Sequence, residues 1–154
     1  MPTKKDIILF YVLSFTWGII WTLVGLFTLL FIVLFMDKKV EMSVIAGRIA
    51  VRFKNGSFGG ASLGIIYLVG RNAGKHTHRH ELGHTLQSIW WGPLFIPIIA
   101  IPSAVRCGMW NMIRKDYFKR YKEYPNYDDI WFEGQATKLG LKHFYGVVNS
   151  ALSE

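Results

Sequence analysis

Cysteine is nearly absent from this 154-residue chain: Cys107 stands alone, so no internal disulfide can form. Acidic residues are also scarce, with 10 Asp and Glu against 18 Lys and Arg, a formal net charge of +8. No glycine-rich stretch ends in Lys followed by Ser or Thr, which excludes the usual phosphate-cradling loop. No internal repeat appears, and no linker is long enough to divide independent domains. The most informative absence is local. From Ile7 to Met36 there is no charged residue at 30 successive positions. As one helix that run measures about 45 Å, against a hydrocarbon core of about 30 Å. It predicts a long N-terminal transmembrane helix, tilted or protruding. A cleaved signal peptide would have a shorter apolar stretch and a small-residue cleavage site. Residues 1–40 are therefore expected to form the membrane helix and residues 41–154 a membrane-associated domain. With this much apolar chain, the basic excess points to anionic lipid as partner and away from nucleic acid.

Proline is confined in a useful way. The apolar run from Ser88 to Val105 contains Pro93, Pro97 and Pro102, each lacking a backbone donor. The run is barely long enough to span a bilayer, so it predicts a broken segment that re-enters the membrane or lies along its surface. Asn111 to Tyr124 carries five basic and two acidic side chains, with Ile113, Tyr117, Tyr121 and Tyr124 on one expected helical stripe. That pattern suits a helix in the headgroup layer. Earlier in the chain, Val44 to Phe53 alternates, placing Ile49, Val51 and Phe53 opposite Arg48, Ala50 and Arg52. Leu63 to Val69 is a second short apolar run, and Asn55 and Gly56 offer turn chemistry between the two. These features predict a β-hairpin, and hence an α+β membrane protein.

Four of the five histidines fall within "HTHRHELGH", His76 to His84. On a helix, His80 and His84 lie on one face, where neutral ring nitrogens can share a tetrahedral cation such as Zn2+. Glu81 then sits beside the pair, able to take a proton from activated water without itself ligating. Two histidines do not complete a catalytic site. The carboxylates downstream are Asp116, Glu123, Asp128, Asp129, Glu133 and Glu154. Glu133 stands out among them, because Asp128 and Asp129 are acceptable N-caps, Gly140 is an acceptable helix stop, and Ala136 leaves room for close approach to the histidine helix.

The pairing of His80-Glu81-Leu82-Gly83-His84 with Glu133-Gly134-Gln135-Ala136 and a later Gly140 resembles the H-E-L-G-H … E-x-x-A-D-x-x-G pattern of gluzincin metallopeptidases. The closest likeness is to the integral-membrane CAAX-prenyl-protease and heat-shock-protease type. The run "GGASLG" with "HELGHTLQSIWWGPLFIPIIAIPS" also resembles small uncharacterised bacterial membrane proteins. The gluzincin resemblance covers roughly Ala61 to Leu141. It implies a minimal zincin-like core, zinc held by His80, His84 and Glu133, and Glu81 as general base. An edge strand ahead of the helix would hold a peptide or protein substrate, making the chain a zinc metalloendopeptidase. His143 and Tyr145 are the expected candidates for steadying the oxyanion. Thr137 departs from the pattern, which has an aspartate there to orient a histidine, and Asp128 or Asp129 are the expected substitutes. The alternative is a non-catalytic membrane protein whose zinc ties two helices together, closed by a fourth ligand from His76, His78 or Asp129. Membrane hydroxylases and desaturases need more histidines than five.

Two expectations concern the membrane. Lys4 and Lys5 precede the long helix, whereas Lys38, Lys39, Arg48, Arg52 and Lys54 follow it. This places the catalytic portion on the cytoplasmic side of a bacterial inner membrane. His84 and Glu133 flank the Ser88 to Val105 run, so they can share an ion only if that run does not cross the bilayer.

Overall fold

The computed structural model describes residues 2–36, 39–55 and 59–153. The expected single N-terminal helix is two helices: α1 (Lys4–Phe15) and α2 (Ile19–Met36), separated by a turn at residues 16–18. Thr3 and Asp6 start α1 with a reciprocal capping box. The break has tertiary causes. Tyr11 donates to the carbonyl of Gly47 at 2.7 Å, and the Arg48 guanidinium lies 3.7 Å from the centroid of the Phe10 ring, so α1 is pinned to a turn of the sheet. The freed carbonyl of Ser14 is satisfied by the Thr22 hydroxyl at 2.9 Å. Among the described residues α2 is the one unbroken helix long and apolar enough to cross a membrane, and 17% of its 18 residues are buried. Its outward side chains, Leu23, Phe27, Leu30, Leu34 and Phe35 among them, are exposed.

The sheet has four strands, β1 (Val40–Ile45), β2 (Arg48–Phe53), β3 (Gly60–Leu63) and β4 (Ile66–Val69), in the order β1-β2-β4-β3. The two runs expected to form one hairpin are instead two hairpins whose inner strands, β2 and β4, pair in parallel, Ile49 with Ile66 through Arg52 with Val69. The turns lie inside the apolar runs. Ala46 and Gly47 both have positive φ, the two-residue geometry that matches strand twist. Gly64 alone is positive in the second turn, which links Leu63 to Ile66. Gly56, in the turn expected after Asn55, lies outside the described residues. The alternation expected for 49–53 holds. Val51 joins Ile66, Leu68, Phe10 and Ile32 on one face of the sheet, and Ala50 joins Tyr67, Val69, Leu82, Phe144 and Val148 on the other. The inner strands, covered on both faces, take the buried pattern of parallel pairing.

The second face carries α3 (Lys75–Trp91) and α5 (Trp131–Ala151). These helices meet backbone to backbone: a Cβ on Gly83 would strike the carbonyl of Ala136, and one on Gly140 the carbonyl of Arg79. Gly140 is therefore a contact point in mid-helix and not the expected stop. Asp128 and Asp129 do not cap α5 either. They lie in a 3₁₀ turn, Tyr127–Asp129, capped by the Asn126 side chain, and Ile130 precedes the helix. Glu133 consequently sits in the first turn of α5, where the unpaired amides favour a carboxylate, and not in its middle.

After α3 the chain turns by 120° between Lys75–Leu94 and Ile96–Trp110. The bend falls at Gly92, held at φ +52 beside the indole of Trp17, and at Pro93. Pro97 and Pro102 lie instead near the starts of the π-helical segment Ile96–Ala100 and of α4 (Ile101–Tyr121), which follow one another without a break. The expected basic helix is the second half of α4. It ends at Lys122 in the left-handed conformation, so Tyr124 lies beyond the helical stripe.

Candidate metal centre

α3 runs between sheet and α5, and its two neighbours define the site. On the α5 side, His80 Nε2 and His84 Nε2 lie 3.0 and 3.2 Å from Glu133 Oε2, and 3.1 Å from each other. All three side chains are buried. Ligands about 2.0–2.1 Å from a tetrahedral zinc ion are separated by about 3.3 Å, so this triangle fits a metal ion closely.

The hydrogen bonds behind the triangle fix its chemistry. Gln87 donates through Nε2 to Phe132 O and to Gln135 Oε1, both at 2.8 Å, which turns its Oε1 toward His84 Nδ1 at 2.7 Å. Thr137 Oγ1 lies 2.8 Å from His80 Nδ1. With protons on both Nδ1 atoms, each Nε2 presents a lone pair to the other and to a carboxylate oxygen. Three lone pairs converging in a buried space call for a cation or a proton. The ionisation equilibria express the same demand. Burial opposes charge on His80, but its hydrogen bond to Glu133 and the nearby carboxylates raise its pKa. Burial likewise opposes charge on Glu133, yet the two histidines hold it well below the usual carboxylate range.

Thr137 thus supplies what the expected aspartate would have supplied, as a neutral acceptor. Neither Asp128 nor Asp129 substitutes for it: Asp128 Oδ2 lies 3.9 Å from His76 Nε2 at the rim, and Asp129 is exposed. His78 is committed elsewhere. Its Nδ1 is 2.9 Å from the Tyr67 hydroxyl, and its Nε2 accepts from Arg52 at 3.1 Å. Among the described residues the group that could hold a metal ion is His80, His84 and Glu133.

Glu81 points toward β3. It is buried, its Oε2 has no hydrogen-bond partner, and burial raises its pKa. A Cβ on Gly60 would meet this carboxylate, so the glycine in "GGASLG" leaves it room. His80, Glu81 and His84 all open into one cavity of about 710 Å³ between the β3 edge and the start of α4. Tyr127 also lines it. The Tyr127 hydroxyl donates to Glu133 Oε1 at 3.3 Å, and burial with the Glu133 charge raises its pKa, keeping it protonated. His143 and Tyr145, expected near the oxyanion, are not brought to the site: both are exposed on α5, and Arg79 packs over the Tyr145 ring. Sequence reasoning missed Tyr127, which lies in a short turn with no periodic signal. Thr137, one helical turn beyond Glu133, and Gln87, one turn beyond His84, were detectable by their spacing.

Family models, curated proteins and solved structures yield no match to this chain.

Proposed function

We propose that the chain is a membrane-anchored zinc metallopeptidase hydrolysing peptide bonds close to the membrane face. The observation that carries the reading is Glu81, a buried carboxylate with an unpartnered oxygen, beside a three-ligand group that opens into a cavity. A structural zinc site has four protein ligands and no use for such a carboxylate. The fourth ligands that reading requires lie apart, with His78 bonded to Tyr67 and Arg52 and His76 at the rim.

His80, His84 and Glu133 would hold the zinc, which supplies Lewis acidity toward a scissile carbonyl and toward water. Glu81, which lines the cavity, accepts one proton of the attacking water and returns it to the departing amine, so the carboxylate is regenerated. Its raised pKa suits both transfers. The Tyr127 hydroxyl, whose one proton goes to Glu133 Oε1 in the free protein, lines the same cavity and would turn that proton toward charge developing on the carbonyl oxygen. Thr137 and Gln87 hold the imidazoles in one tautomer and one orientation. The apolar exposure of α2 supports its placement in a bilayer. The exposed stripe Ile101, Val105, Met109 and Met112 on α4, reached through the 120° bend, supports a segment that enters and returns and so keeps the ligands on one side. The distribution of lysine and arginine around α2 favours the cytoplasmic side of a bacterial inner membrane.

The full chain in detergent, assayed for zinc content and peptide hydrolysis, tests this reading. Both should fall together in His80→Ala and Glu133→Ala and persist in His76→Ala. Zinc that follows His76 instead would refute it.

A further inference from the structure

The β3 edge leads away from Glu81 and is interrupted by the apolar helix. The two-residue turn makes Leu63 and Ile66 a hydrogen-bonded pair, so the backbone groups of Ser62 and Gly60 point away from β4, toward the cavity. The bond from Gly70 N to Gly59 O, 3.2 Å, fits the same alternation. Gly60 lies against Glu81. At Ser62 the outward carbonyl is already occupied, accepting from the Trp21 indole N–H of α2 at 3.0 Å. Behind it the α2 backbone closes on β3, since a Cβ on Gly25 would strike the Leu63 carbonyl. An added strand beside Glu81 therefore meets Trp21 after two residues, about 7 Å.

That end of the cavity is apolar. Trp21 packs on Phe95 with ring centroids 5.6 Å apart, and Leu63 and Ile99 complete the walls. Apart from Cys107 on α4, the titratable lining groups, His76, His80, Glu81, His84, Tyr127 and Asp128, lie on α3 and on the 3₁₀ turn before α5. A charged chain terminus finds no partner beside Trp21, whereas an apolar side chain is desolvated at no polar cost.

Resting on the metallopeptidase reading, we propose that Trp21 is a specificity-determining residue: it ends the β3 edge two residues from Glu81 and, with Leu63, Phe95 and Ile99, forms a pocket for one large apolar substrate side chain beside the scissile bond.

The test separates binding from hydrolysis. In the full-length Glu81→Gln protein in detergent, peptides of uncharged sequence carrying Leu or Ala at one varied position are compared by fluorescence anisotropy. Leu should bind roughly 10- to 200-fold more tightly than Ala at a single register. Adding Trp21→Ala should abolish that ratio, and adding Trp21→Phe, which keeps an aromatic wall without the N–H, should retain most of it. Zinc content equal to that of the parent protein establishes that the site is intact in each variant. In the protein with Glu81 present, cleavage sites mapped by mass spectrometry should place Leu, Ile or Phe within two residues of the bond, and Trp21→Ala should spread them. A Leu-to-Ala ratio that survives Trp21→Ala, or the lack of any such ratio, overturns the proposal. A preference that depends on Trp21 without hydrolysis by the unmutated protein would keep the pocket and overturn the peptidase reading.

Discussion

Thr137→Val removes one oxygen and little else. The two side chains are nearly isosteric, their helix propensities are similar, and position 137 is only partly buried, so α5 should form unchanged. The lost atom is the acceptor 2.8 Å from His80 Nδ1. Leaving that N–H without a partner in a buried site costs about 1–3 kcal/mol, and the ring is released from the orientation that aims Nε2 at Glu133. Loss of such an outer partner typically lowers metal affinity about 10- to 100-fold, or about 1.4–2.8 kcal/mol. The zinc dissociation constant of the full chain, measured by competition with a chromophoric chelator and paired with circular dichroism, reads this directly. Thr137→Ser retains the hydroxyl and should retain most of the affinity. Unchanged zinc binding in Thr137→Val, or equal losses in the Val and Ser variants, would refute the assignment of Thr137 as the residue that orients His80.

Two further outcomes follow from other parts of the molecule. Burial first, and then the Arg52 charge, lowers the His78 pKa from 6.5 to about 4, so between these values the unfolded chain binds a proton that the folded chain does not. Stability should therefore be full above about pH 6.5 and fall, on the order of 3 kcal/mol, as the pH drops through that window. Thermal denaturation at several pH values should show a shallower slope in His78→Gln, and equal slopes would contradict the buried neutral histidine. For the bent segment, the exposed native Cys107 and a cysteine replacing Lys75 in a Cys107→Ser background should label from the same face of sealed vesicles. Labelling from opposite faces would mean a true crossing and would remove Glu133 from the ligand set.

The grouping of His80, His84 and Glu133 was legible because helical spacing alone places the two histidines together and a second helix can bring one carboxylate to them. The strand alternation at 49–53 was legible for the same reason, being a local period. What the sequence concealed depends on long-range contacts. The division of the N-terminal helix follows from Arg48 and Gly47 holding α1. The parallel pairing of β2 with β4 follows from turns hidden within apolar runs, at Ala46–Gly47 and Gly64–Ile65. Gly140 looked like a stop because a close helix contact and a helix end favour the same residue type. Tyr127 reaches Glu133 only because the 3₁₀ turn before α5 folds back over it. No sequence period ties His143 and Tyr145 to the histidine helix, and α5 carries them outward.

Hydrolysis by Glu81→Gln tests the central claim most directly. The amide preserves the shape of the side chain and cannot accept the proton. The variant, purified beside the unmutated chain, should retain one zinc per chain and lose roughly 10²- to 10⁴-fold in zinc-dependent peptide cleavage. Equal cleavage by the two proteins, or zinc bound by an unmutated chain that cleaves no peptide, would contradict the account.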